Sequence, residues 1–353
     1  MSSPVVSALP VGGALARYVS ALSVGRGDPL AAEAYAAAKG WLQTASVLRG
    51  VITALGQGDV ASALKPITFD LAAALRPMTV VGRLAGMRPV PFATRVLRQS
   101  LGATGTWVGE QTPIPVSKSS FDVVAALNAR KVAAISVVTS ELLQNAEPAS
   151  YSTIAADVLA AVAEALDRAF LDPSNHGDAT TPASVTAGAT SFESSGSSLA
   201  NVDADLGRLV GALTDANCSL QTAAWTMSAR TACSLARLRG TGGAAAYPGV
   251  TARGGILLGI PVLTSANTAV EGSPGEGMIA LIEGSEVLIA DEGEGSIDLS
   301  NEAALQLSDG PSAGAQQLVS LWQAGMVGLR SSRVVNWTIR RATSAAVLRS
   351  VAF

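Results

Sequence analysis

Apolar residues recur every four positions from Ile154 through Val158, Val162 and Leu166 to Phe170, while Asp157, Glu164 and Arg168 fall on another face. A stripe of this period marks an amphipathic helix, and Pro148 and Ser150 suit its opening, so the spacing predicts one long helix over 148–171. Upstream the pattern changes to alternation. Phe121, Val123 and Ala125 alternate, as do Val132, Ala134 and Val138 around the polar Ser136. Pro77, Pro89 and Pro91 force extended backbone near them, so strands are expected at Thr79–Val81 and Val90–Val96. Thr104–Gln111 reads as a short extended piece, and Pro113 and Pro115 then mark a turn. The whole of 102–138 therefore reads as a long two-stranded excursion.

Residues 1 to about 75 are rich in Ala and Leu in short blocks of helical spacing. Asp28-Pro29 forms a cap and first turn for a helix through Ala31–Thr44, which Gly40 interrupts or ends. These blocks are short and lightly amphipathic, which predicts an arm lying on something else. The Ser-, Thr-, Gly- and Ala-rich stretch 173–200 is expected to be a loop. From 201 the pattern is mixed, with helices at 205–213 and 228–239 and a strand at 221–227. A Gly-rich loop at 240–255 leads into the apolar run Ile256–Leu263, followed by strands at 278–281 and 286–290. Alternation returns at 296–307 and 318–329 and closes on Val334–Ile339. No fixed-period repeat is present.

The chain has 353 residues, enough for two domains of ordinary size. It is 48% hydrophobic and only 14% charged, which implies either a large interior or much surface buried against other subunits. A net charge of −3 gives no general attraction to nucleic acid or anionic membrane. No apolar run reaches the roughly 20 residues of a membrane span, and no basic segment precedes the first apolar stretch as a secretory signal requires. Cys218 and Cys233 are the only cysteines, which fits a chain made soluble in a reducing cytoplasm. Charge is unevenly placed. Residues 1–100 hold ten Lys or Arg against four acids, whereas Gly254–Leu329 holds ten acids and no Lys or Arg. This is either two solvated faces of different sign or a means of head-to-tail attraction between copies.

Candidate chemistry is sparse. His176, the only histidine, lies in the Asn175-His176-Gly177 loop, where an exposed polar role is expected. No nucleophile-elbow pattern accompanies it. Cys218 and Cys233 lie fifteen apart without a second pair, so they read as small core residues and not as a zinc site. Carboxylates near 291–298 could hold Mg²⁺ or Ca²⁺, but no EF-hand spacing supports it. Gly240-Thr241-Gly242-Gly243-Ala244-Ala245 fits the dinucleotide fingerprint only loosely, because a helix precedes it where a strand is needed. No cofactor is expected. Trp322 and Trp337 are expected in the core, while Trp107, in an extended excursion beside Gly109 and Glu110, reads as an interface anchor.

The order of short motifs resembles the tailed-bacteriophage major capsid proteins of the Hong Kong 97 fold. The phrases that carry it are Thr106-Trp107-Val108-Gly109-Glu110, Pro115-Val116-Ser117-Lys118 with Phe121, and Lys131 through Ser140-Glu141-Leu142-Leu143. Further on come Asp167–Asp172, Trp225-Thr226-Met227, Gly254–Val262, and Gly328-Leu329-Arg330 with Arg333. Together they cover about 76–340. The resemblance implies an α+β fold in which 1–75 is an N-terminal arm, 76–101 the start of a peripheral domain and 102–138 the extended E-loop hairpin. Residues 139–200 would continue the peripheral domain with a spine helix at 148–171, and 201–290 would form the axial α/β domain. Residues 291–333 would supply the peripheral sheet, and 334–353 would return to the axial domain.

The function implied is a structural subunit, not an enzyme, that self-assembles through pentamers and hexamers into an icosahedral head around double-stranded DNA. Portal, scaffold and decoration proteins are the further partners implied, with no membrane, and the destination is the virion after assembly in the host cytoplasm. Trp107, Glu110 and Lys118 on the loop, with Arg330 and Arg333 near the peripheral sheet, are the expected subunit contacts. Some family members cross-link a loop Lys to a sheet Asn. Here those positions fall near Val108–Gly109 and Gln317, so no isopeptide network is expected. Residues 1–75 read as arm and not as charged coiled-coil scaffold, which points to a separate scaffold protein. The alternatives are an encapsulin-type compartment shell and, from another class, a soluble α/β enzyme.

Overall fold

A computed structural model describes residues 13–25, 28–55, 75, 77–101, 107–108, 110, 120–124, 126–141, 148–240, 242–268, 277–291, 293, 295–306 and 318–352. Along the chain, helices α1 (Gly13–Val24), α2 (Pro29–Ala38), α3 (Leu42–Leu55) and the short α4 (Val80–Arg83) come first. Strands β1 (Arg88–Pro89), β2 (Val96–Leu101), β3 (Ser120–Val124) and β4 (Lys131–Thr139) follow, and then the long helix α5 (Pro148–Leu171). Next come β5 (Thr190–Glu193), α6 (Leu199–Asp215), β6 (Ala223–Met227) and α7 (Ala229–Arg237). Short strands β7 (Val250–Thr251), β8 (Gly254–Leu257) and β9 (Ile260–Thr264) lead to β10 (Gly277–Glu283) and β11 (Val287–Ala290). The chain continues through β12 (Gly295–Ser300), β13 (Ala304–Gln306), β14 (Leu318–Ser320), β15 (Met326–Val334), β16 (Asn336–Ile339) and β17 (Ala345–Val351).

The chain divides into two compact units. Unit 1 comprises residues 1–83, 131–168 and 293–334; unit 2 comprises 84–130, 169–292 and 335–353. Both are discontinuous in sequence, and the division passes through α5 after Arg168.

Unit 2 is organised by a seven-stranded mixed sheet in the order β5-β17-β10-β6-β9-β8-β7. Its core follows from pattern. Val202, Leu206, Leu209 and Leu213 make one stripe of α6, and Ala232 and Leu235 line the inner side of α7. They bury Trp225, Met227, Ile279, Leu281 and Leu348 of the sheet. Ser198 caps α6 and Ser228 caps α7, each accepting a main-chain N–H of its first turn. Trp225 has no solvent exposure, and its indole N–H donates to the Leu257 carbonyl at 3.0 Å, so its burial leaves no orphaned donor. Asp205, also buried, accepts the Ser195 amide, the Ser195 hydroxyl and the Arg208 guanidinium. Burial pushes the Asp205 carboxyl up, but those bonds together hold it below the ordinary aspartate value.

A second sheet of unit 2 has the order β1-β11-β16. Here Trp337 meets the ring of Phe170 edge-on at 5.3 Å and donates its indole N–H to the Ala183 carbonyl at 2.9 Å. The last carbonyls of α5 are satisfied nearby. Ser184 donates to the Phe170 carbonyl and Thr186 to that of Leu171, which closes the helix end.

Unit 1 holds the three-stranded sheet β12-β15-β4 and the small β13–β14 hairpin. It also holds α1, α2 and α3, which pack on one another, with Tyr18, Ala21, Ala32, Ala36, Leu48 and Val51 buried. The helical blocks of the expected arm form a small helical layer. Ala at the close contacts lets the helix backbones approach, which explains why the sequence pattern is only lightly amphipathic. Asp28 caps α2 as its position predicts, and Gly40 takes a φ of 71° between α2 and α3.

Four readings of local structure are corrected, the first being Val90–Val96, where only Val96 lies in a strand and Ala93 takes a φ of 58° in a turn. Residues 131–139 do not return along the excursion; β4 pairs with β15 over its full length, and the excursion's own strands are β2 and β3. Thr79–Val81 is not a strand but the start of a helical turn, because the Asp167 carboxylate accepts the Val80 N–H at 2.7 Å and the Thr79 hydroxyl accepts that of Gly82. The expected loop 173–200 contains β5. In addition, β17, between β5 and β10 in the seven-stranded sheet, lies beyond the last element expected from the sequence.

Candidate subunit-interface surfaces

In unit 1 a row of three residues crosses the sheet in register. Ile135 of β4 stands opposite Arg330 of β15, and Arg330 stands opposite Asp298 of β12. Arg330 binds one carboxylate oxygen of Asp298 through Nε at 3.1 Å and Nη2 at 2.6 Å. Both partners are about half exposed, so the pair orients the row more than it stabilises it. Two residues along β15, Gly328 leaves room for the tips of Leu321 and Leu305; a Cβ there would sit 3.1 Å from Leu321 Cδ1. The result is a hollow of about 270 Å³ lined by Ile135, Leu305, Leu321, Gly328, Arg330 and Asp298, among others. Tyr18 of α1 lies toward Asp298: burial, then the Asp298 charge, pushes its phenol up to about 12. Ile135 is 54% exposed, Leu318 68% and Trp322 73%. Exposed apolar residues mark a partner surface where they gather into a patch, and these three are the unit's candidates for one.

In unit 2 the excursion between β2 and β3 carries Trp107, which is fully exposed, beside the exposed Val108 and Glu110. The β8–β9 hairpin makes a third apolar projection. Leu258 and Gly259 both take positive φ in its two-residue turn, the backbone twist that such tight hairpins need, and Ile256 and Leu258 are exposed there.

Of the residues expected at contacts, Trp107 and Glu110 lie together on the unit 2 excursion and Arg330 lies on the unit 1 sheet. Lys118 falls outside the described residues. Arg333 is 8% exposed on β15, inside the unit and not on its surface. Trp337 is buried as expected, but Trp322 is not; it follows β14 in a turn that faces solvent. Cys233 is likewise exposed on α7, and Cys218 is half-buried. Sequence reasoning missed Ile135, Trp322, Ile256 and Leu258. Gly259 was the available signal for a turn inside the 256–263 run, whereas nothing local marks which face of β4 stays open.

For catalysis or metal the described residues offer little. His176 is exposed in its loop. No group of three or more potential metal ligands occurs among the described residues. The Gly240–Ala245 segment is a turn closed by an isolated bridge between Arg239 and Ala245, without the strand–turn–helix that a dinucleotide site requires. No helix among the described residues is long and apolar enough to cross a membrane.

Comparison with known proteins gives these surfaces their context. The family described as the phage capsid family matches residues 71–349. The chain is 36% identical over 293 residues to the capsid polyprotein of Pseudomonas phage PAJU2, covering 80% of this chain and 43% of that protein. It therefore spans less than half the length of that relative. It is 29% identical over 313 residues to the major capsid protein of Klebsiella oxytoca phage phiKO2, covering 85% and 71% of the two chains. Among solved structures, a chain of Mycobacterium phage Ogopogo superposes with a TM-score of 0.57 at 17% identity, over 77% of this chain and 92% of that one. A chain from the capsid of an empty GTA particle computed with C5 symmetry gives 0.52 at 16% identity, over 80% and 90%. The architecture is the α+β fold of Hong Kong 97-type capsids. With its match running through both compact units, the chain belongs to the phage capsid family.

Proposed function

We propose that copies of this chain associate into pentamers and hexamers and close an icosahedral head around double-stranded DNA. The observation that carries this reading is the apolar surface left open in both units, with Trp107 fully exposed on one and Ile135, Leu318 and Trp322 on the other. A shell needs contacts that close on themselves, and aromatic anchors are typical of such contacts. The capsid names of the two relatives support it. In this reading the β2–β3 excursion is the E-loop, the seven-stranded sheet the axial domain, α5 the spine helix and the β12-β15-β4 sheet part of the peripheral domain. Trp107, Glu110 and Lys118 contact a neighbouring copy, and Arg330 meets a neighbour at the sheet.

The work is mechanical and not catalytic. Assembly takes place in the host cytoplasm with a portal, a separate scaffold protein and decoration proteins as partners, and the product is the virion shell. With the cross-linking positions falling near Val108–Gly109 and Gln317, particles dissociate fully in hot SDS; a resistant ladder would overturn that point. The main test is size-exclusion chromatography followed by negative-stain electron microscopy of the purified chain. Capsomer rings or closed particles are expected, with DNA and not a protein cargo inside particles taken from infected cells. A dimer or tetramer that never assembles, even with crowding agents, would overturn the reading.

A further inference from the structure

We propose that α7 and the adjoining β7–β8 turn of unit 2 present an arginine face that binds the phosphate backbone of double-stranded DNA. The inference rests on the shell reading only for where it would operate; the face itself stands on its own residues. From Ala216 through Val270 the chain carries Arg230, Arg237, Arg239 and Arg253 and not one Asp, Glu or Lys. All four arginines are exposed. Elsewhere in unit 2, Arg208 pairs with Asp205, and Arg340 and Arg341 share Glu286. Among the described residues none of the four has a carboxylate partner. The carboxylate in contact with this segment is Asp203, which accepts from the Tyr247 hydroxyl at 3.4 Å.

The elements that carry the four are adjacent. Arg230 and Arg237 are seven residues apart on α7, two turns and about 10 Å along one side of the helix. The opposite side is occupied by the buried Thr231, Ala232 and Leu235. Arg239 follows at the helix exit, where its Nη1 donates to the Ala236 and Leu238 carbonyls and holds the guanidinium in place. Strand β7 packs on α7, and two residues later Arg253 sits in a turn shaped by bonds from the Thr251 hydroxyl to the Gly254 carbonyl and from the Arg253 amide to Thr251 Oγ1.

Intramolecular electrostatics does not account for this set. Arg237 suits the C-terminal end of α7, but Arg230 stands in its first turn, where the helix dipole opposes a cation. An external anion would relieve that conflict. A second copy of the chain is the less fitting occupant of the arginine face itself, because from Ala229 to Arg253 no large apolar side chain is exposed among the described residues, and the exposed Ile256 and Leu258 lie beyond it on the β8–β9 hairpin. Tyr247, the aromatic of this stretch, is buried and so cannot stack on bases. Guanidinium groups match phosphate oxygens, whose contacts position a duplex without reading its sequence.

The test is fluorescence polarisation of a labelled DNA duplex titrated with the dispersed full-length chain at several salt concentrations. Binding that weakens with salt is expected, with a log–log slope of about −2 to −4 for two to four phosphate contacts. Replacing Arg230, Arg237, Arg239 and Arg253 together by Gln should lower affinity at least about tenfold and flatten that slope. Replacing Arg17, Lys39, Arg49 and Arg168 by Gln removes the same charge from unit 1 and should leave most of the binding. Equal losses in the two variants, an unchanged affinity in the first, or salt-independent binding would overturn the proposal. Should the quadruple variant misfold by circular dichroism, Arg230→Gln with Arg237→Gln alone must still show a loss and a shallower slope. Electron microscopy of the same preparations separates the two readings. Particles that form while the arginine substitutions leave duplex binding untouched sink this inference and spare the shell. A chain that binds through these arginines and never assembles does the reverse.

Discussion

β6 and β4 both sit in sheets, yet every residue of β6 is buried and none of β4 is. β6 lies between β10 and β9, under the stripe of α6 and the inner side of α7, and its polar Thr226 and the Trp225 indole find carbonyl partners. β4 is an edge strand whose outward residues include Ile135. The contrast teaches that β6 is covered wholly by its own chain while β4 leaves an apolar side chain and a sheet edge to be covered. Such an edge is a hazard for a monomer and an asset for a subunit.

The sharpest way to break the comparison is to truncate each strand in turn. Trp225→Ala empties a filled core and removes the indole's bond to the Leu257 carbonyl, so it should cost about 3–5 kcal/mol. Ile135→Ala removes a side chain already half in water and should cost less than about 1 kcal/mol. Guanidinium unfolding with hydrogen exchange on β6 and β4 measures both, and equal costs would abolish the distinction.

Asp205→Ala comes next, at about 3 kcal/mol, because the Ser195 amide and Arg208 lose a buried acceptor. The same carboxyl supplies a pH signature. Its folded value is lowered, so its contribution is complete above the unfolded aspartate pKa of about 3.9 and is lost as pH falls through the lower folded value. Thermal melts of Asp205→Asn should therefore lose less stability than the parent chain between neutral pH and that acid range; parallel profiles would contradict the network.

Smaller effects are expected at the surfaces. Arg330→Ala should destabilise the dispersed chain by under about 1 kcal/mol, since both members of its pair are solvated. Trp107→Ala should change the melting of the dispersed chain least of all, by no more than about 0.5 kcal/mol, yet reduce particle yield in electron micrographs. A large loss of stability there would place Trp107 in a core and remove it from the interface.

Legibility in the sequence followed the range of the forces involved. Helix α5 was predicted with its bounds because its four-residue stripe and its opening are local and uncontested. The helices around β6 were legible for the same reason. Thr79–Val81 misled because β-branched residues after a proline read as strand, whereas Asp167, far along the chain, captures the Val80 amide and sets a helical turn. β17 was missed because Ala345–Leu348 is a short continuous apolar run, which periodicity cannot tell from other buried segments. Trp322 misled because aromatic residues are usually buried, and only the β13–β14 hairpin shows that this one is not. Trp107 was read as an interface anchor because it stands in an extended excursion beside Gly109 and Glu110, and its full exposure fits that reading.

By itself, then, the sequence determined the long helix, the capped helices of the α/β region, the scarcity of catalytic groups and the ordered motifs of a capsid chain. Each depends on residues within a few turns of one another or on their plain presence. Only the tertiary structure decided that β4 joins β15, that the N-terminal helices pack on one another, and which apolar side chains remain outside. Strand partners and burial depend on groups brought together from distant parts of the chain, and a strand's own alternation is the same whichever edge it meets.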